Sequence, residues 1–239
     1  MYRESSHSWT EHGAAAELSA SPGGAAAGTS RRRFLGQVVA AAAAVAPVVL
    51  ASKPSTVEAK QGGGGMNPVA QAFADIRAHE NAHVQFLVNA LGRNARPMPV
   101  FQNLLQPNRD QFVRTSAALE NTGCGAYLGA APVIHNRGIL ASAGSIALIE
   151  ARHAGFLNNL AGARITTNVL GVVQSFETPL TIQQVVNLAS PFIRNLNGGP
   201  PLTFSLHPSA HNDIAILNFA LALEYLEAAF YNLNVPVFF

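Results

Sequence analysis

Two segments of the chain repeat one spacing, Glu80 and His83 in HENAHVQFL and Glu150 and His153 in SIALIEARHAGFL, each reading Glu-x-x-His. At helical spacing, Phe73, Ile76, Glu80, His83, Leu87 and Leu91 share one face, as do Ile146, Glu150, His153, Leu157 and Leu160. These are the buried stripes of amphipathic helices. A carboxylate and an imidazole in such a stripe are costly unless something satisfies them. Residues three apart lie together on a helix, so each pair can grip one cation. The alternative is a core polar pair partnered within the protein.

Two further stripes carry one carboxylate each: Glu120 among Val113, Ala117, Cys124 and Tyr127, and Glu224 among Leu217, Leu221, Ala228 and Tyr231. From residue 61 onward the chain has six Glu, three Asp, nine Arg and no Lys, and four of those Glu fall at these stripe positions. The arginines nearest in sequence, Arg77 and Arg152, lie off the stripes. Unpaired buried carboxylates repel one another and take up protons. Two divalent cations remove that conflict, and carboxylate oxygen with imidazole nitrogen suits iron or manganese. Four Glu and two His, with one Glu-x-x-His on each of two helices, is the known pattern of dinuclear carboxylate bundles. The predicted ligands are therefore Glu80, His83, Glu120, Glu150, His153 and Glu224. Glu227 is the alternative to Glu224, and Tyr231 following Glu224 by seven, as Tyr127 follows Glu120, favours Glu224. The two tyrosines read as core with a polar tip, the alternative being redox partners. His79 lies one residue off its stripe and is expected to be solvated or to support a ligand, the alternative being ligation. His135, His207, His211 and Glu177 read as loop or loop-flanking residues. Without metal, the same bundle would keep its carboxylates protonated and lose stability as pH rises.

Helices must position these residues. The pattern predicts helices over about 68–91, stopped by Gly92, and over about 108–128, entered after Pro107. It predicts a third over about 138–160, a short one from Thr181 with Gln184 completing a capping box, and a last one over about 213–233. FVRTS and RITTNVL are short runs that a helix or a strand could claim, and no repeat of 20–50 residues occurs. Four long helices imply an all-α four-helix bundle. Residues 92–107 number sixteen with three prolines. Such a segment can extend roughly 50 Å, longer than a 20-residue helix of about 30 Å, so it can be a crossover joining two parallel helices.

The first sixty residues differ from the rest. Residues 1–29 are rich in Ala, Ser and Gly without periodicity and are expected to be disordered. SRRRFLG at 30–36 precedes a modest apolar run and resembles a twin-arginine export signal, with cleavage after Ala51 or Ala59. An uncleaved anchor is the alternative, though Pro47 and the alanines disfavour a permanent span. GGGG at 62–65 marks a linker over 61–67, leaving 68–239 for the bundle. The chain is 49% hydrophobic and 12% charged, against about 25% charged on average. The net charge of +2 comes from the leader. No basic stripe with interleaved aromatics is present, which argues against nucleic acid as a partner. A single cysteine, Cys124, excludes an intrachain disulfide or thiolate cluster and reads as a small buried residue.

HENAHVQFL, ALENTGCGAYLGAA, SIALIEARHAGFLNNLAG and ILNFALALEYLEAAFY together resemble the ferritin-like domain of bacterial proteins related to plant desiccation-related proteins. ITTNVLGVVQSFETPLT is similar to the stretch that follows the last helix in that family. The resemblance covers most of residues 68–233 and implies a ferritin-like four-helix bundle with a dinuclear metal site. It settles no activity. In the family the LEYLEAAFY helix comes first; here it comes last, which implies a circular permutation. The moved helix then docks on its own chain or, in a domain-swapped dimer, on a partner. The expectation is an exported protein binding two ions, Fe or Mn, and acting on metal, oxygen or peroxide. Its rival is a stress-protective or envelope structural protein in which metal only staples the bundle.

Overall fold

The computed structural model describes residues 67–239. The twin-arginine stretch, the leader and all but the last residue of the glycine linker lie outside the described residues. Five α-helices occur among the described residues: α1 Pro68–Leu91, α2 Arg109–Ala130, α3 Arg137–Leu160, the short α4 Ile182–Ala189 and α5 Ala210–Phe238. A two-stranded antiparallel ribbon joins β1 Val100–Phe101 to β2 Ile193–Asn195. FVRTS falls inside α2, and RITTNVL lies in the α3–α4 connection, where Thr167 forms a lone bridge with Val173.

The helix starts follow local chemistry. Asn67, Asn108, Asn136 and Ser209 each cap a helix by accepting from backbone N–H groups of the first turn. Thr181 and Gln184 form the expected capping box at α4. Gly92, at φ +53°, ends α1 in the left-handed region open to glycine.

Side-chain bonds orient the four long helices. Tyr127 meets Glu224 and Tyr231 meets Glu120, so α2 and α5 are antiparallel. Asn218 binds the carbonyl of Asn94 while Asn81 and Asn232 exchange bonds, so α1 and α5 are also antiparallel. A short turn folds α3 back along α2. The connection from α1 to α2 is the crossover. Its Arg96 N–H binds Asn218 Oδ1 at 2.7 Å, and its Gln106 N–H binds Asn234 Oδ1 at 2.9 Å. Sixteen helical residues separate these anchors, roughly 24 Å of rise, so α1 and α2 run parallel. The arrangement is an all-α four-helix bundle.

The bundle has close and loose seams. α2 packs along α3 and α1 along α5, whereas α1 and α3 meet less closely. At the end where α1 begins, Phe73, Phe112, Phe230, Tyr231 and Leu157 form a fully buried core. The α3–α4 connection straps across α2, with the Leu180 N–H donating to the Gly125 carbonyl at 2.9 Å. A Cβ at Gly129 would sit 2.1 Å from the Leu180 carbonyl oxygen, so this close approach requires glycine. α5 is long and apolar enough to cross a membrane, but most of that stretch is buried in the bundle.

Candidate metal centre

The four long helices bring six predicted residues together in the interior. Glu80, Glu120 and Glu150 are 0% exposed, Glu224 1% and His153 6%. The His83 side chain is slightly more open, at 12%. Two sets of donor atoms cluster within 4.8 Å: Glu80, His83, Glu150 and Glu224 in one, and Glu80, Glu120, Glu150 and His153 in the other. Glu80 and Glu150, one from each Glu-x-x-His segment, belong to both.

The spacing is that of ligands around a cation. His83 Nδ1 lies 3.1 Å from Glu80 Oε2, 3.3 Å from Glu150 Oε1 and 3.2 Å from Glu224 Oε2. His153 Nδ1 lies 3.1 Å from Glu80 Oε1 and 3.0 Å from Glu120 Oε2. One ring nitrogen carries one proton at most, so hydrogen bonding cannot serve three carboxylates at once. Donors about 2.0–2.2 Å from a shared ion stand roughly 2.8–3.6 Å apart in octahedral or tetrahedral coordination. Glu80 Oε1, both oxygens of Glu150 and Glu224 Oε2 are buried without a well-formed hydrogen bond. No Lys or Arg pairs with any of these carboxylates among the described residues. The residues present therefore fit divalent cations. Two such ions balance four carboxylates with both imidazoles neutral.

Burial and mutual repulsion set the electrostatics of the cluster. Burial, then repulsion from Glu120, lifts Glu80 to about 7. Burial and the charge of Glu80 push Glu150 well above the carboxylate range. Burial would lower His83, but bonds to Glu224 and Glu80 outweigh it and hold the ring at about 10. His153 behaves likewise at about 9, through Glu120 and Glu80. The carboxyls are held toward their protonated forms and the imidazoles keep their protons, as expected of buried acids packed against one another and against bases.

Supporting contacts come from outside the six. The Tyr231 hydroxyl donates to Glu120 Oε1 at 2.6 Å, and the Tyr127 hydroxyl donates to Glu224 Oε1 at 2.5 Å. Both are the expected core tyrosines with a polar tip, but each reaches across to the other helix's Glu. Sequence spacing showed they share a face with a Glu; only the antiparallel α2–α5 pairing shows whose. His79 Nδ1 lies 3.0 Å from His153 Nε2 with the rings parallel, the supporting contact that was one of the two roles expected of it; the sequence did not show which histidine it would meet. Gly123 makes room for Glu150, because a Cβ there would sit 2.6 Å from Glu150 Oε2. Glu227, the alternative to Glu224, is also buried, yet it is absent from both donor sets. Burial, then Glu120 and Glu80, pushes its carboxyl well above the ordinary range. Cys124 is buried and its thiol is pushed up by burial, which makes it inert. Glu177 lies in the α3–α4 connection, while His135 and His207 are exposed in loops and His211 is exposed in the first turn of α5.

A sequence profile of the ferritin-like domain matches residues 31–163 and 212–236, well over half of the chain. The chain belongs to the ferritin-like domain family. Comparison with curated proteins and with solved structures finds no match.

Proposed function

We propose that this ferritin-like protein binds a carboxylate-bridged pair of iron or manganese ions and works in metal oxidation or in handling oxygen or peroxide. The observation that supports this most is the set of orphaned carboxylate oxygens of Glu80, Glu150 and Glu224, gathered with the two Glu-x-x-His histidines and paired with no Lys or Arg among the described residues. Glu80 and Glu150 are the bridging candidates, Glu224 and His83 complete one position, and Glu120 and His153 complete the other. Such a centre, when bound, supplies one-electron redox chemistry toward oxygen or peroxide. The chain's own part is to hold the geometry: Tyr127 and Tyr231 fix Glu224 and Glu120 by donating to them, and the buried walls exclude bulk water. Elemental analysis should find about two Fe or Mn per chain, lost in Glu150→Ala. A wild type that neither carries nor takes up metal sinks the reading.

The enclosure of the carboxylates supports the second reading, in which metal only staples the bundle. It predicts that chelation lowers Tm while turnover with Fe(II) or hydrogen peroxide stays at background.

We further infer export by a twin-arginine-type signal at 30–35, testable by cell fractionation of a variant with Arg31 and Arg32 both replaced by Lys. The kinship to desiccation-related proteins and the permutation belong to the same reading. Phe239 at the end of α5 stacks on Phe73 near the start of α1, at 4.6 Å between ring centres. A short linker could therefore place α5 ahead of α1 without moving either helix. A chain rebuilt as 210–239, linker, 67–209 should fold and load metal as the natural order does; failure to do both counts against the permutation.

A further inference from the structure

A second feature opens on the loose seam between α1 and α3. A cavity of about 130 Å³ lies there, at the bundle end where α1 finishes and α3 begins. Phe86, Leu87, Tyr127, Ala143, Ile146 and Leu217 line it. Leu87 follows His83 by one helical turn and Ile146 precedes Glu150 by one, so its floor lies one turn from the candidate metal centre. Tyr127 belongs to both, with its ring in the cavity wall and its hydroxyl on Glu224.

The lining has little to offer water. The Tyr127 hydroxyl is committed to Glu224, and Ser142 Oγ donates to the Gly138 carbonyl. Asn136 Oδ1, at the mouth, accepts from the Gly138 and Ile139 N–H groups. A held water needs about two to four polar partners, and an apolar cavity of about 150 Å³ stays dry and takes benzene or xenon. Small side chains create the space: Ala143 is buried at the wall and Ala90 sits exposed at the rim.

We propose that this cavity is a binding subsite for a small, uncharged, apolar molecule of up to about benzene size, held against Tyr127 beside the metal centre. Its role toward that centre rests on the function proposed above; the binding itself does not. The ligand class follows from the lining. A charged or strongly hydrogen-bonding molecule would lose its water without gaining partners, while an apolar one fills an otherwise unpacked volume.

The test uses the full chain as purified, with benzene as the probe. Benzene should bind saturably and raise Tm, and crystals under xenon should show density between Leu87, Ile146 and Leu217. Ala143→Leu fills the wall and should weaken benzene binding at least tenfold. Ala90→Leu, at an exposed position that does not threaten folding, should narrow the mouth and do the same. Absence of saturable binding to the wild type, or binding undiminished in both variants, overturns the proposal. Metal content measured on the same samples separates the two claims: metal without benzene binding removes the subsite alone, and benzene binding without metal removes the centre alone.

Discussion

The two halves of the candidate centre are built alike and surrounded differently. Each has a histidine, a carboxylate of its own and a tyrosine donating to that carboxylate: His83, Glu224 and Tyr127 in one, His153, Glu120 and Tyr231 in the other. The His153 half backs onto the aromatic core, where Tyr231 is fully buried against Phe112 and Phe230. The His83 half faces the apolar cavity, and Tyr127 there is only partly buried. One half is locked by packing and the other has room beside it. The difference teaches that ligand number alone does not define such a centre; what stands behind each ligand decides which half can admit a guest.

The largest expected effect comes from breaking what the halves share. Glu80 gives Oε2 to the His83 side and Oε1 to the His153 side, whereas Glu224 serves only the His83 set. Glu80→Gln should empty both positions, and Glu224→Gln should leave about one ion per chain, held by the His153 half. Elemental analysis reads this directly. Equal losses in the two variants would mean the halves do not act as separable positions.

Next in size is the response to pH, which separates the metal-free from the loaded protein. In the metal-free fold Glu80 titrates near 7 instead of its ordinary 4.5, and burial with the neighbouring carboxylates also pushes Glu150 and Glu227 well above the ordinary carboxylate range. His83 and His153 titrate near 10 and 9 instead of 6.5. Every one of these groups binds protons more tightly folded than unfolded. Stability must then fall as pH rises, first from about 4.5 through 7 as Glu80 ionises, and again from 6.5 through 9 and 10 as the imidazoles lose their protons. The loaded protein should show the opposite slope in acid, because protons compete with the ions for the same ligands. Thermal melts of chelated and loaded samples across that range check the signs; parallel curves would show that metal does not reach this cluster.

Much of the fold was legible because it rests on local rules. The α1 bounds follow from Asn67–Pro68 and Gly92, and α4 from a capping box, so one short segment sufficed to read each. The ends of α5 were harder. It begins three residues before Asp213 and runs past Leu233 through Pro236, held there by Phe238 and Phe239 packing on Phe112 and Phe73. The β1–β2 ribbon could not be read either, since neither strand exceeds three residues and they pair across nearly a hundred residues of chain. The site divides the same way. Helical period placed all six predicted ligands on one interior, because burying a carboxylate in an oily stripe leaves a visible anomaly. Burial of Glu227 and the role of His79 depend on neighbours from other helices, which no single-helix period encodes.

His79 gives the smallest effect and the sharpest comparison, because His83 has no counterpart to it among the described residues. Its Nδ1 faces His153 Nε2, so it can accept that ring's proton and leave Nδ1 of His153 free to face Glu80 and Glu120. Burial, then the nearby His153 and His83, lowers the His79 pKa, which keeps its ring neutral and able to accept. A partner of this kind sets the tautomer and orientation of a ligating histidine, and losing one typically costs 10–100-fold in metal affinity. The His79–His153 contact is only partly buried, so water can take over part of it, and His79→Ala should sit at the low end, about tenfold. The loss should fall on the His153 position alone. Competition with a chelator, carried out in the Glu224→Gln background where only that position is filled, isolates the effect. Full affinity there would mean that the packed half owes its order to the aromatic core and not to the paired rings.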